Sequence, residues 1–68
     1  MDHHTPKPPY TLRYNTPDGP VVTEGLRLRW DVAHRGAQID QRGPDQAWDI
    51  TVLDADGIDI TGTFSFLI

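Results

Sequence analysis

The sequence predicts an all-β protein: a small antiparallel meander of four to five strands, closed as a small barrel or sandwich or completed by dimerisation. Three observations predict it. Apolar and polar side chains alternate with a period of two over several stretches. Turn residues, above all two Asp-Gly pairs (Asp18-Gly19 and Asp56-Gly57), separate those stretches. No stretch carries a helical apolar stripe of useful length.

Residues 1–9 hold Pro6, Pro8 and Pro9 with charge and two histidines, and read as a flexible N-terminal arm. Residues 10–68 read as a single β domain. Tyr10-Thr11-Leu12-Arg13-Tyr14 alternates as a half-buried strand. A three-residue loop, Pro17-Asp18-Gly19, would pair Tyr14 with Val22, Leu12 with Glu24 and Tyr10 with Leu26. That register turns the carboxylate of Glu24 toward the apolar side, unless Gly25 forms a bulge that re-aims it.

The clearest strand is Leu26-Arg27-Leu28-Arg29-Trp30-Asp31-Val32, with every even position apolar and every odd one charged. Helical spacing would group Leu26, Arg29, Trp30 and Ala33, a poorer stripe. Residues 37–41 predict a short strand, with one helical turn as the alternative, and Arg42-Gly43-Pro44-Asp45 a loop. The last hairpin can be derived further. A loop of Ala55-Asp56-Gly57 sets Val52 against Ile60, Ile50 against Gly62 and Trp48 against Phe64, with Gly57 at the left-handed position. The predicted apolar face includes Tyr10, Leu12, Tyr14, Val22, Leu26, Leu28, Trp30, Val32, Trp48, Ile50, Val52, Ile60, Phe64 and Phe66. With no helix to cover it, the sheet must curl or stack on a second copy.

Sixty-eight residues allow one domain. Such a chain buries only about 60% of its unfolded surface, so oligomerisation is an economical source of stability. The absence of cysteine excludes disulfides and cysteine-type zinc sites. No apolar run approaches the roughly 20 residues that span a bilayer, and residues 1–7 lack a secretory apolar stretch, so no membrane association and a cytoplasmic location are expected. Charge is uneven. All six basic residues precede Gly43, giving residues 1–43 (six bases, five acids) +1 and residues 44–68 (five acids) −5.

The chemistry-bearing residues form no catalytic pattern, so no enzyme activity, metal or cofactor is expected. Asp54-Ala55-Asp56-Gly57-Ile58-Asp59 has some spacing of a calcium loop, but Ile58 occupies a ligand position and the turn accounts for Asp56 and Gly57. Ser65, the only serine, lacks nucleophile-elbow glycines, and His34 lacks a second ligand at metal spacing. Glu24 is the one candidate for unusual carboxylate chemistry. The favoured function is a non-catalytic protein-binding or assembly module, self-associating, contacting its partner through Arg27, Arg29, Leu53, Leu67 and Ile68: apolar anchors with an arginine rim. The alternative is a nucleic-acid-binding β-barrel using an Arg13/Arg27/Arg29 face. It is disfavoured because Tyr10, Tyr14 and Trp30 fall in the opposite phase and the chain is acidic.

Overall fold

A central strand organises the molecule. The computed structural model describes residues 5–64. Strand β1 (Tyr10–Thr16) buries Tyr10, Leu12 and Tyr14 on one side and exposes Arg13 on the other, as its alternation predicts. Strands β2 (Gly19–Leu26) and β3 (Trp48–Leu53) both pair antiparallel with β1, giving a three-stranded open sheet of order β2-β1-β3. Between β2 and β3 the chain forms helix α1 (Arg29–Asp40), and a short 3-10 turn, Thr61–Thr63, follows β3.

The protein is therefore mostly sheet, but it is not all-β. The expected strand over residues 26–32 stops at Leu26, and residues 29–40 are helical, so the short strand expected over 37–41 does not form and its helical alternative belongs to a longer helix. Alternation across seven residues competed with a longer pattern that begins inside it. Val32, Gly36 and Ile39, at i, i+4 and i+7, are the buried helical positions, with Ala33 half-buried beside them. Local terms agree: Asp31 sits in the first turn, where the helix dipole favours an anion, and Arg35 Nε lies 3.0 Å from Asp31 Oδ1 across one turn. The helix supplies the cover that the apolar sheet face lacked. Leu12, Val32 and Val52 are the largest fully buried side chains, in one core cluster with Tyr10, Tyr14, Leu26, Ile39, Ala47, Ile50, Ile60 and Phe64. Leu28 and Trp30, expected in that core, are 65% and 72% exposed, and Val22 and Trp48 are exposed too.

The first hairpin turns one residue tighter than expected. Thr16 pairs with Gly19, so the loop is Pro17-Asp18 and Tyr14 faces Val21 rather than Val22. Gly19 takes φ 118°, a conformation glycine adopts without the Cβ penalty. This slip would send Leu26 to the wrong face. A bulge between the Tyr10 and Leu12 pairs, with Gly25 at φ 76°, restores Tyr10 opposite Leu26. The bulge foreseen at Gly25 thus exists, and Glu24 beside it is exposed.

The last hairpin begins in the expected register and then leaves it. Leu53 bridges Asp59, Ile60 N–H donates to the Val52 carbonyl at 2.8 Å, and Gly57 has φ 78°. Asp54 holds the turn: it is buried, and its Oδ1 accepts from the N–H groups of Asp56 (2.9 Å) and Ile58 (3.0 Å). Beyond Ile60 the chain coils into the 3-10 turn, so no strand runs over residues 61–64 and the Trp48–Phe64 pair does not form. At the other end, the Lys7 carbonyl accepts from Ala55 N–H at 3.0 Å, anchoring the segment before β1.

Two substitutions test this account. Leu12→Ala is expected to cost about 3 kcal/mol as a transfer-plus-cavity loss at the core. Gly25→Ala meets no atom within 4 Å, so only its backbone conformation is penalised, at about 1–2 kcal/mol. Urea unfolding midpoints should rank them in that order; equal losses would remove the distinction between core and bulge.

Candidate functional surfaces

The sheet has two unlike faces. One carries α1. The other carries the residues whose phase points away from the helix, arranged by the register. Arg13 on β1 lies between Val22 on β2 and Thr51 on β3. These residues, with Asn15, Pro20, Asp49, Asp59 and Thr61, line an open depression of about 640 Å³. A second register shift shapes it. Between the Arg13 and Asn15 pairs the sheet slips by one residue, and Asp49 takes φ 55°, a left-handed conformation that Asp tolerates better than most side chains. Asn15 Nδ2 donates to Asp49 Oδ2 at 3.2 Å.

Asp59 is held by its neighbour. Thr61 donates to Asp59 Oδ1 from both its hydroxyl (2.6 Å) and its backbone N–H (2.9 Å). The hydroxyl bond first, then the backbone bond, and to a smaller degree the charge of Arg13 hold the Asp59 carboxyl below its ordinary value, against a slight opposing effect of burial. The same Thr61 hydroxyl oxygen accepts from Val52 N–H at 2.8 Å, tying Asp59 to the sheet edge.

The second surface lies on α1. Leu28 caps the helix from an extended conformation, and Trp30 follows in the first turn. The Trp30 and His34 rings stack, with centroids 5.3 Å apart and planes 2° from parallel, and Gln38 Nε2 lies 3.2 Å from His34 Nε2. Trp30, His34 and Gln38, one turn apart in sequence, thus form a ladder of side chains, all three exposed.

The predicted site residues scatter across these features. Arg27 is exposed in the link before α1. Arg29 is engaged within the fold: its guanidinium lies 4.4 Å from the Phe64 ring centroid, and Nη2 donates to the Thr63 carbonyl (3.1 Å) and hydroxyl (3.2 Å). Arg13 sits mid-strand on the open face, so strand alternation does not align it with Arg27 and Arg29. Leu53 is half-buried where it bridges Asp59. Leu67 and Ile68 lie outside the described residues. Sequence reasoning missed Leu28 and Trp30 as surface residues, because alternation assigned them to the core. The signal that could have released them was the Val32, Gly36, Ile39 spacing.

The outer edge of β2, unpaired among the described residues, offers little to an added strand. Pro20 lacks an N–H and Gly25 bulges, both of which interrupt edge pairing. No helix among the described residues is long and apolar enough to cross a membrane. No protein-family model matches the chain, and no curated protein and no solved structure matches it.

The depressed Asp59 titration has a pH consequence with a defined sign. Its folded value lies below its unfolded one, so its contribution to stability is present above the ordinary carboxylate range and is lost as pH falls through the folded value. Thr61→Val removes the hydroxyl donor, and the Asp59 side-chain carboxyl ¹³C shift should then titrate at higher pH. The same change leaves Val52 N–H without its acceptor, costing about 1–3 kcal/mol. An unmoved Asp59 titration would show that the Thr61 hydroxyl is not the cause.

Proposed function

We propose that this chain is a small non-catalytic protein-binding module whose contact is centred on Leu28 and Trp30, with self-association as its simplest form. One observation carries the reading: an indole 72% exposed stands next but one to a leucine 65% exposed, on a helix whose core-facing positions are already filled by Val32, Gly36 and Ile39. Folding does not need an apolar group at either place. Tryptophan contributes a large apolar area to an interface, and buried aromatic anchors dominate binding energy where they occur. Burying about 200 Å² of such surface is worth on the order of 5 kcal/mol by area. Arg27, exposed beside Leu28, supplies the rim. A cytoplasmic setting is part of this proposal.

The nucleic-acid reading has less to support it. Arg29 is occupied by Phe64 and Thr63, and the chain's charge of −4 opposes a phosphate partner. An enzyme built on Glu24 would need a desolvated carboxylate, and Glu24 is exposed.

Light scattering on the eluting protein tests the proposal. At micromolar concentration the wild type should elute as a dimer or larger, and the Leu28→Ser/Trp30→Ala variant as a monomer. Both changed residues are exposed, so unfolding stability should shift by less than about 0.5 kcal/mol per site. A monomeric wild type that also captures the same proteins from a lysate as the double variant would sink it.

A further inference from the structure

The outer face of α1 carries a group that can switch the Leu28–Trp30 contact. His34 is the one histidine among the described residues. At about 100° per residue it stands about 200° around the helix from the fully buried Val32, so it points away from the sheet. The titratable and charged groups of the strands that α1 covers (Tyr10, Arg13, Tyr14, Glu24 and Asp49) lie on the sheet side of the helix, and the 3-10 turn has none. On its own helix His34 meets the Trp30 ring, with centroids 5.3 Å apart and planes 2° from parallel, and its Nε2 lies 3.2 Å from Gln38 Nε2. The nearest charged residues along the helix, Asp31 and Arg35, are tied to each other at 3.0 Å. Two features favour a neutral ring once Trp30 is covered. A neutral imidazole nitrogen accepts from the Gln38 amide, whereas a ring protonated at both nitrogens has no lone pair for it and the amide must turn over. A partner that buries the indole also comes within one ring of His34 and displaces its water, which penalises the charged form. Indole attracts a cation, but the ladder holds no acid to replace the lost hydration.

We propose that His34 gates the Leu28–Trp30 contact by pH: a second copy seats on the Trp30–His34–Gln38 ladder while His34 is neutral and leaves when it is protonated. The inference rests on the contact proposed above and names its partner and its regulation. Charge complementarity points to a second copy laid antiparallel. The Asp31–Arg35 pair runs beside the ladder with its acid toward the helix start. Two antiparallel helices therefore set acid against base across a two-fold axis, whereas parallel ones set like against like. The same axis brings both copies' His34 rings into one contact, where two positive charges would also repel each other. The linkage has a definite sign. The free chain binds the proton and the paired chain excludes it, so association strengthens as pH rises through the histidine range, about pH 5 to 8, and weakens as pH falls through it. Excluding one proton per copy costs about tenfold for each, so the dimer should be about 100-fold weaker near pH 5.5 than near pH 7.5.

Sedimentation velocity of the full chain near pH 7.5 and near pH 5.5, with circular dichroism to follow the fold at each, tests the inference. The wild type should be dimeric at the higher pH and monomeric at the lower, with an unchanged spectrum. His34→Gln, neutral at both, should stay dimeric at both, and His34→Lys, charged at both, should be monomeric at both. His34 is exposed, so neither change should disturb the fold. A wild type that is dimeric at both pH values, or a pH response that survives His34→Gln, would overturn the gate. The contact itself would still stand in that case if Leu28→Ser/Trp30→Ala is monomeric, so the two readings can fail separately. A wild type that is monomeric at both pH values would remove contact and gate together.

Discussion

The structure depends on covering one face of its central strand. β1 has neighbours on both edges, so its backbone groups are paired and its side chains alone decide the fold's faces. Tyr10, Leu12 and Tyr14 all project to one side, and among the described residues no other strand or sheet stacks on them. Helix α1 fills that role with Val32, Gly36 and Ile39, and the segment after β3 completes the cluster with Ile60 and Phe64. The strand order follows from the same need. A chain that passes across one face of a hairpin by way of a helix returns on the far side of β1, so β3 pairs with β1 instead of continuing a meander beside β2. Arg29 secures the arrangement from the helix side, stacking on Phe64 and bonding Thr63.

Two bulges do the remaining positioning, and both sit where the backbone enters the left-handed region. At Gly25 the extra residue reverses the phase that the tight Pro17-Asp18 turn imposed, so Leu26 reaches the core while Glu24 stays in solvent. A side-chain period of two makes any such slip change faces, which is why one residue of loop length and one of bulge can cancel. At Asp49 the shift falls within the open face and brings a carboxylate into the depression around Arg13. The uncovered face is polar and charged, as one side of an antiparallel sheet in water can be, and it needs no second layer for stability.

Several features were legible in the sequence because they are local. β1, the Asp18-Gly19 and Asp56-Gly57 turns, the Gly25 bulge, the Arg42–Asp45 loop and the Val52–Ile60 register each depend on a few neighbouring residues and their φ preferences. The helix was not legible in the same way. Its first four residues continue an alternation that starts in β2, and its core stripe becomes visible only over Val32 to Ile39. Reading the alternation as a strand placed Leu28 and Trp30 inside, and hid the exposed pair on which the proposed contact rests. The open face was half legible: alternation put Arg13 there, while its neighbours Asp49, Asp59 and Thr61 came from elements whose pairing partners could not be chosen from spacing.

By itself the sequence determined the places of the two Asp-Gly turns, which side of β1 is apolar, and that those apolar side chains need a cover. Which segment provides that cover, which strand stands beside β1, and hence which charged groups meet on the bare side were decided only in the folded chain. The physical reason is that strand and helix periods agree over a few residues, and burial against a distant partner, unavailable to a local pattern, is what separates them.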